Sequence, residues 1–165
     1  MWKCMVALLA LLLAGCTSPK SYETLADVHL PLQEPQPREM SLQFPEKTAV
    51  TSMTDGSSGK LYLCEGYTIL VQTMDGGDLD RTLRAVSGFG REHLQIMERE
   101  ESNHRRIECV WAAAGEGGDQ ICRAVILDDG NFHYTLTLIA DASTAGQFSE
   151  QWQKLSMEFT LGTDQ

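Results

Sequence analysis

The sequence lacks an apolar run long enough to cross a membrane. Its longest run, residues 5–14, has ten residues, whereas a spanning helix needs about 20. The chain is also poor in basic residues, with 13 Lys and Arg against 23 Asp and Glu and a formal net charge of −10. Its one basic cluster, Arg105 and Arg106, follows a run of glutamates. We therefore expect no membrane-spanning helix and no nucleic acid partner.

The short motifs of common enzymes are missing as well. The chain has no GxSxG, no HExxH and no dinucleotide fingerprint, and it has no CxxC or HxxxH pair that would suggest zinc. The acidic stretch MDGGDLD lacks the spacing of an EF-hand calcium loop. The histidines are scattered, and we expect them to face solvent: His29, His93, His104 and His133. The sequence thus predicts no metal, no cofactor and no catalytic residue.

What is present at the front of the chain is a processing signal. The apolar run follows Lys3 and ends at small residues, which is the layout of a secretory signal peptide. Residues 13–16, LAGC, resemble the lipobox of bacterial lipoproteins. The resemblance implies that residues 1–15 are removed and that the Cys16 thiol carries the lipid. The acyl chains would hold the protein on a membrane, outside the cytoplasm and without spanning it. An ordinary signal peptide, or a short buried helix that ends at a cysteine, is the alternative.

The next segment, residues 16–39, is expected to be a tether. It contains four of the five prolines among Ser, Glu and Gln, a composition typical of extended linkers. The tether either provides clearance or packs against the domain through an apolar set: Leu25, Val28, Leu30 and Leu32. The remainder, residues 40–165, has the size of a single domain with one core.

Hydrophobic periodicity predicts the elements of this domain. MSLQFPEK favours an opening strand, and KLYLCEGYTILVQTM favours a hairpin that turns at Glu65 and Gly66. The stretch DLDRTLRAV predicts a helix capped by Asp78, which ends near Gly88 or Gly90.

Four strand candidates and a closing helix follow. The strands are HLQIMERE, RRIECVWAAA, DQICRAVILDD and NFHYTLTLIAD, and their short connections predict antiparallel neighbours. STAGQFSEQWQKLSMEF predicts a helix with Ser143 or Thr144 as its N-cap and Gln147 completing a capping box. This helix would cover the apolar face of the sheet, so the fold class is α+β, a layered antiparallel sheet packed with two main helices.

This order of elements resembles the PsbP/DcrB-like fold, which occurs in bacterial lipoproteins and in extrinsic photosystem subunits. The resemblance covers residues 40–161 and lies in element order and apolar pattern, without a diagnostic motif. It implies a scaffold more than an activity, because members share no catalytic site and several serve as accessory or binding subunits.

Three cysteines lie in the domain: Cys64, Cys109 and Cys122. A two-residue turn at 115–116 would place Cys109 directly opposite Cys122, close enough for a disulfide. A four-residue turn at 115–118 would instead pair Cys109 with Ala124 and weaken that bridge. A Cys109–Cys122 disulfide, a bridge to the third cysteine and buried free thiols all stay open.

The functional expectation is a membrane-anchored, extracytoplasmic lipoprotein that acts as a non-catalytic binding or accessory module with an envelope protein partner. One alternative is a hydrolytic enzyme that acts on an envelope component. The other is a structural subunit of a membrane complex, which would leave an apolar patch after the core is built. Three aromatic residues are candidates for that patch: Tyr67, Trp111 and Phe132.

Overall fold

The structure is a computed structural model that describes residues 34–44, 49–52 and 58–162. Within these ranges the chain forms nine strands: β1 (Met40–Ser41), β2 (Ala49–Ser52), β3 (Ser58–Leu63), β4 (Tyr67–Asp75), β5 (Gln95–Glu100), β6 (Arg105–Gly115), β7 (Gly118–Asp128), β8 (Phe132–Asp141) and β9 (Thr160–Leu161). It also forms the α-helices α1 (Leu79–Ser87) and α2 (Ser149–Glu158) and two short 3-10 turns, Arg91–His93 and Ala145–Phe148.

Seven strands form one antiparallel sheet in the order β2-β3-β4-β8-β7-β6-β5. The predicted hairpin β3–β4 and the predicted four-strand meander β5–β8 are both confirmed. The long pairing of β4 with β8 joins them into a single sheet. The sequence patterns missed β2 and β9. The opening strand predicted over residues 40–47 is described up to residue 44, and within that part Met40–Ser41 (β1) pair with β9.

The two predicted helices cover opposite faces of this sheet. The α1 face is the set that packs beneath α1: Ile107, Cys109, Trp111, Cys122, Ala124 and Ile126, with His133, Thr135 and Thr137 of β8 beside them in register. The α2 face is the opposite set, beneath α2 and the chain ends: Ile69, Val71, Val125, Leu127, Tyr134, Leu136 and Leu138. The two sets alternate along each central strand because successive side chains point to opposite faces.

Helix α1 forms where the sequence predicts it. Asp78 is its N-cap, and the carboxylate accepts the backbone N–H groups of Asp80 and Arg81 at 3.0 and 3.3 Å. Gly88 ends the helix with a φ of 78°, a left-handed conformation that glycine adopts at little cost. Leu83 then lies buried against the α1 face.

Helix α2 begins later than predicted. Residues Ala145–Phe148 form a 3-10 turn, and α2 starts at Ser149 without a side-chain cap. The Thr144 hydroxyl donates to the carbonyl of Asp141 at 3.3 Å and caps no helical N–H. The predicted capping box is therefore wrong, because the extra 3-10 turn separates Thr144 from the helix proper.

Candidate binding cleft

A cleft of about 250 Å³ opens between the end of β4 and the start of α1. Its lining residues are Met74, Asp75, Gly76, Asp78, Arg81, Thr82 and Ala85. Gly76 sets the shape of this corner: its N–H donates to the carbonyl of Asn131 at 2.8 Å. A Cβ at Gly76 would lie 2.6 Å from the backbone of Asn131, so only glycine lets β4 pass this closely against the β7–β8 turn.

Beneath the cleft lies a buried histidine. His133 is 0% exposed and Thr82 is 4% exposed, and the Thr82 Oγ1 lies 2.6 Å from the His133 Nδ1. The His133 Nε2 faces Asp128, at 3.6 Å from its Oδ1. Strand register explains the arrangement, because His133 stands opposite Asp128 on β7 and opposite Met74 on β4.

Asp128 is in turn held by Arg105, whose Nη2 donates to the Asp128 Oδ2 at 2.7 Å. Burial alone would raise the pKa of Asp128. The Arg105 guanidinium, the backbone N–H of Gly130 and His133 outweigh burial and hold that pKa below its usual value. Arg105 has a raised pKa, chiefly because of its hydrogen bond to Asp128.

The network continues to the surface. Arg105 lies 3.7 Å from Glu98, Glu98 pairs with Arg91, and Arg91 lies 3.4 Å from Asp80 in the first turn of α1. Polar contacts thus connect strands β5 to β8 with the helix at two points, one buried and one exposed.

A hydroxyl, an imidazole and a carboxylate stand in the order used by hydrolases with a nucleophilic side chain. Here Thr82 and His133 are buried under α1, and Asp128 is already held by Arg105. This geometry fits a contact that fixes α1 to the sheet. The open part of the cleft carries two carboxylates and the Arg81 guanidinium, groups that bind polar or charged ligands. Among the described residues, no group of three or more His, Cys, Asp and Glu side chains is arranged to hold a metal ion.

A second, smaller hollow of about 190 Å³ lies at the other end of α1. It is lined by Phe89, His93, Trp111 and Ala112. The Ser87 hydroxyl fixes the loop that carries Phe89, since it donates to the carbonyl of Leu83 at 2.7 Å and accepts the N–H of Phe89 at 3.0 Å. Phe89 is therefore an exposed aromatic residue on an ordered loop.

The predicted site residues are placed as follows. Cys16 and the tether segment up to residue 33 lie outside the described residues. Gly115 pairs with Gly118, so that Cys109 stands opposite Ala124 and Cys122 opposite Trp111. Cys109 and Cys122 are therefore diagonal neighbours and do not stand directly opposite each other. The two-residue turn lies at 116–117, one residue later than the turn at 115–116 that would oppose them. Both cysteines are free thiols in the structure, and burial raises the pKa of Cys109 to about 11.

Sequence reasoning missed His133, which was expected to face solvent. On β8 the polar residues His133, Thr135 and Thr137 alternate with apolar ones. This pattern is typical of a strand with one solvent-exposed face. Helix α1 covers that face, so all three are buried. Trp111, a candidate for a spare apolar patch, is likewise buried beneath α1.

In the part of the chain that the structure describes, no helix combines the length and apolar character needed to cross a membrane. No protein-family model matches the chain, and no curated protein matches it.

Solved structures do match. The solution structure of cyanobacterial PsbP (CyanoP) from Synechocystis superposes with a TM-score of 0.57 at 11% identity, over 74% of this chain and 86% of that one. LpqN, involved in cell envelope biogenesis of Mycobacterium tuberculosis, gives a TM-score of 0.51 at 13% identity, over 78% and 87%. A protein from Bacteroides thetaiotaomicron gives 0.51 at 10% identity, over 76% of this chain and 46% of that one. At these identities the likeness concerns the fold, and the predicted α+β, PsbP-like fold is confirmed.

Proposed function

We propose that this protein is an extracytoplasmic lipoprotein whose PsbP-like domain is a non-catalytic accessory module that binds a protein of the cell envelope. The observation that carries the proposal is the sequence LAGC at residues 13–16, directly after a ten-residue apolar run. A lipid on Cys16 would attach the domain to the membrane surface by acyl chains rather than by a spanning helix.

The geometry of the domain supports a binding role. The Thr82–His133–Asp128 contact is buried beneath α1 and ties the helix to the sheet. The groups that reach solvent in the cleft are Asp75, Asp78 and Arg81, which can recognise a charged partner. LpqN, a protein of the same fold, is involved in cell envelope biogenesis, which favours the same compartment here.

The anchor is tested by replacing Cys16 and, as a matched control, Cys4 in the leader. We expect Cys16→Ser to abolish the incorporation of labelled fatty acid and cleavage after residue 15. Cys4→Ser should leave both unchanged, because residue 4 is removed with the leader. Fatty-acid labelling and cleavage that persist in Cys16→Ser would contradict the lipoprotein assignment.

The accessory role is tested by crosslinking in intact cells, followed by mass spectrometry of the recovered complexes. We expect crosslinks from the domain to an envelope protein, weakened by Arg81→Glu in the cleft. The competing hypothesis, a hydrolytic enzyme, predicts instead that the purified chain hydrolyses an envelope substrate and that Thr82→Val abolishes this activity. Hydrolysis without a recovered protein partner would overturn the proposal.

A further inference from the structure

Exposed apolar side chains gather at one edge of the sheet. Met97 on β5 is 57% exposed, and Val110 on β6 is 37% exposed. Register places both on the α2 face: Met97 stands opposite Glu108, and Val110 stands opposite Gln95, two residues before Met97. Helix α2 leaves these two side chains exposed. Its C-terminal end contacts β6 at Arg106, nearer the start of that strand than Val110. Ala112, also exposed, extends the apolar surface along β6.

The same corner ends in a strand edge that no other described strand pairs with, since β5 is the last strand of the sheet. The N–H of Glu101 donates to the carbonyl of His104 at 2.9 Å across the β5–β6 turn. Hydrogen-bonded and non-bonded pairs alternate along an antiparallel ladder. The outward backbone groups therefore belong to Ile96, Glu98 and Glu100, and a further strand can pair with them.

Charged side chains on an edge strand commonly prevent such pairing. On β5 two of these charges are already bound within the chain. Glu98 pairs with Arg91 and lies 3.7 Å from Arg105. Arg99 lies 3.0 Å from Glu101 and 3.4 Å from Glu108. The charge that the edge presents to an incoming strand is correspondingly small.

We propose that the occupant of this edge is a second copy of the chain, paired antiparallel through β5 about a two-fold axis at Met97. In this register Met97 faces its own copy, Gln95 faces Arg99 and Ile96 faces Glu98. Five of the six residues of β5 pair with β5 of the other copy, Glu100 faces Leu94, and no like charges stand directly opposite.

Neighbouring registers are worse. An axis at Glu98 opposes two glutamates, and an axis at Arg99 opposes two arginines. An axis at Ile96 sets Glu100 against Glu92 and separates the two Met97 side chains. Like charges directly opposite destabilise a strand pair, so the register at Met97 is selected by the sequence of β5 itself.

The pair has the geometry of an isologous dimer. Met97 hydrogen-bonds inward to β6, so the two copies of residue 97 form a non-hydrogen-bonded pair, in which side chains approach most closely. The two-fold axis stands perpendicular to the sheet, which keeps both α2 faces on the same side. Val110 then flanks the Met97 contact in each copy. One strand pair buries less than the roughly 1,200 Å² of a stable interface, so the dimer is expected to be concentration-dependent.

The first test is sedimentation of the detergent-solubilised full chain across a concentration series. We expect the mean mass of the wild type to rise toward that of a dimer and Met97→Lys to remain monomeric. The matched control is Met157→Lys, because Met157 is 67% exposed and belongs to α2 and not to the strand proposed to pair. A wild type that stays monomeric, or a Met97→Lys variant that dimerises as the wild type does, would overturn the proposal.

The second test fixes the register by disulfide trapping under mild oxidation, in a Cys64→Ser background that lacks the half-buried thiol. Met97→Cys is expected to give a covalent dimer, because residue 97 faces its own copy. Arg99→Cys is expected to give none alone and a mixed dimer with Gln95→Cys. Faster trapping at Arg99→Cys than at Met97→Cys would contradict the axis at Met97.

Discussion

The two faces of the sheet hold their helices by different means. On the α2 face, helix α2 ends over a buried arginine: Arg106 donates to Glu108 Oε1 at 2.9 Å, to Ser156 Oγ at 2.8 Å and to the carbonyl of Ser156. On the α1 face, Thr82 of α1 contacts the imidazole of His133, with 2.6 Å between the Thr82 Oγ1 and the His133 Nδ1. A buried charge that serves several partners costs more to remove than one neutral hydrogen bond. Damage to the α2 face should therefore cost more stability.

The largest effect is expected from Arg106→Met. The change removes the nearer ion-pair partner of Glu108, which keeps Arg99 at 3.4 Å, and leaves the last carbonyls of α2 without their donor. We expect a loss of about 3 kcal/mol in the free energy of unfolding. Chemical denaturation measures the loss. Arg123→Met is the control, since Arg123 is half-buried on the same face and no described residue forms an ion pair with it. Equal losses in the two variants would contradict the role given to Arg106.

The next effect appears at alkaline pH and belongs to the α2 face. Burial, together with Asp129, raises the pKa of Tyr134 to about 12 from 10.0, and burial with Cys64 raises the pKa of Tyr67 to about 12. A raised pKa favours the neutral phenol in the folded state. Its contribution is therefore complete below pH 10 and is lost between about pH 10 and 12.

Tyr134 should account for at most roughly 2 to 3 kcal/mol of that alkaline loss, and half-buried Tyr67 for less, because solvent screens its charged form. The double variant Tyr67→Phe/Tyr134→Phe should flatten the fall in unfolding free energy over this range, measured by denaturation at each pH. If the unfolding free energy of the double variant falls with pH as steeply as that of the wild type, ionisation of these phenols does not cause the alkaline loss of stability.

On the α1 face, two buried threonines differ in whether their hydroxyl contacts a partner among the described residues. Thr82→Val removes the hydroxyl bound to His133 and should cost about 1 to 3 kcal/mol. Thr135 is also fully buried, but its Oγ1 has no hydrogen-bond partner among the described residues. Thr135→Val should be neutral or stabilising, because it removes a buried polar group that gains nothing from the fold. A larger loss in Thr135→Val than in Thr82→Val would reverse this assignment.

The smallest expected effect is at the start of α1. Asp78→Ala removes the acceptor for two backbone N–H groups and should cost about 1 kcal/mol. Asp80→Ala, an exposed acid in the same turn, should cost less. The difference between their thermal midpoints compares the cap with the exposed Asp80–Arg91 ion pair, and no difference would mean that the cap contributes no more than that pair.

Sequence reasoning recovered the elements that repeat a period over many residues. The alternation in β6 to β8 and the Asp78-capped helix could be read directly because local patterning decides them. The β1–β9 ribbon could not, because two-residue strands carry no period. The Cys109 register depended on which residues form a turn in a glycine-rich stretch, where several turns are compatible with the sequence.

The candidate cleft could not be predicted from the sequence, for a different reason. His133, Asp128 and Thr82 come from three elements, and only the β4–β8 pairing and the placement of α1 bring them together. Alternating polarity in β8 indicated a solvent-exposed face. The helix that covers this face is distant in sequence, since Thr82 precedes His133 by 51 residues. Tertiary contacts of this kind leave no local signal.

The most direct test of the proposed function is mass spectrometry of the N-terminal peptide of the protein purified from membranes. We expect the mature chain to begin at Cys16 and this residue to carry a diacylglycerol thioether. A chain that keeps residues 1–15, or a mature chain with an unmodified Cys16, would contradict the proposed function.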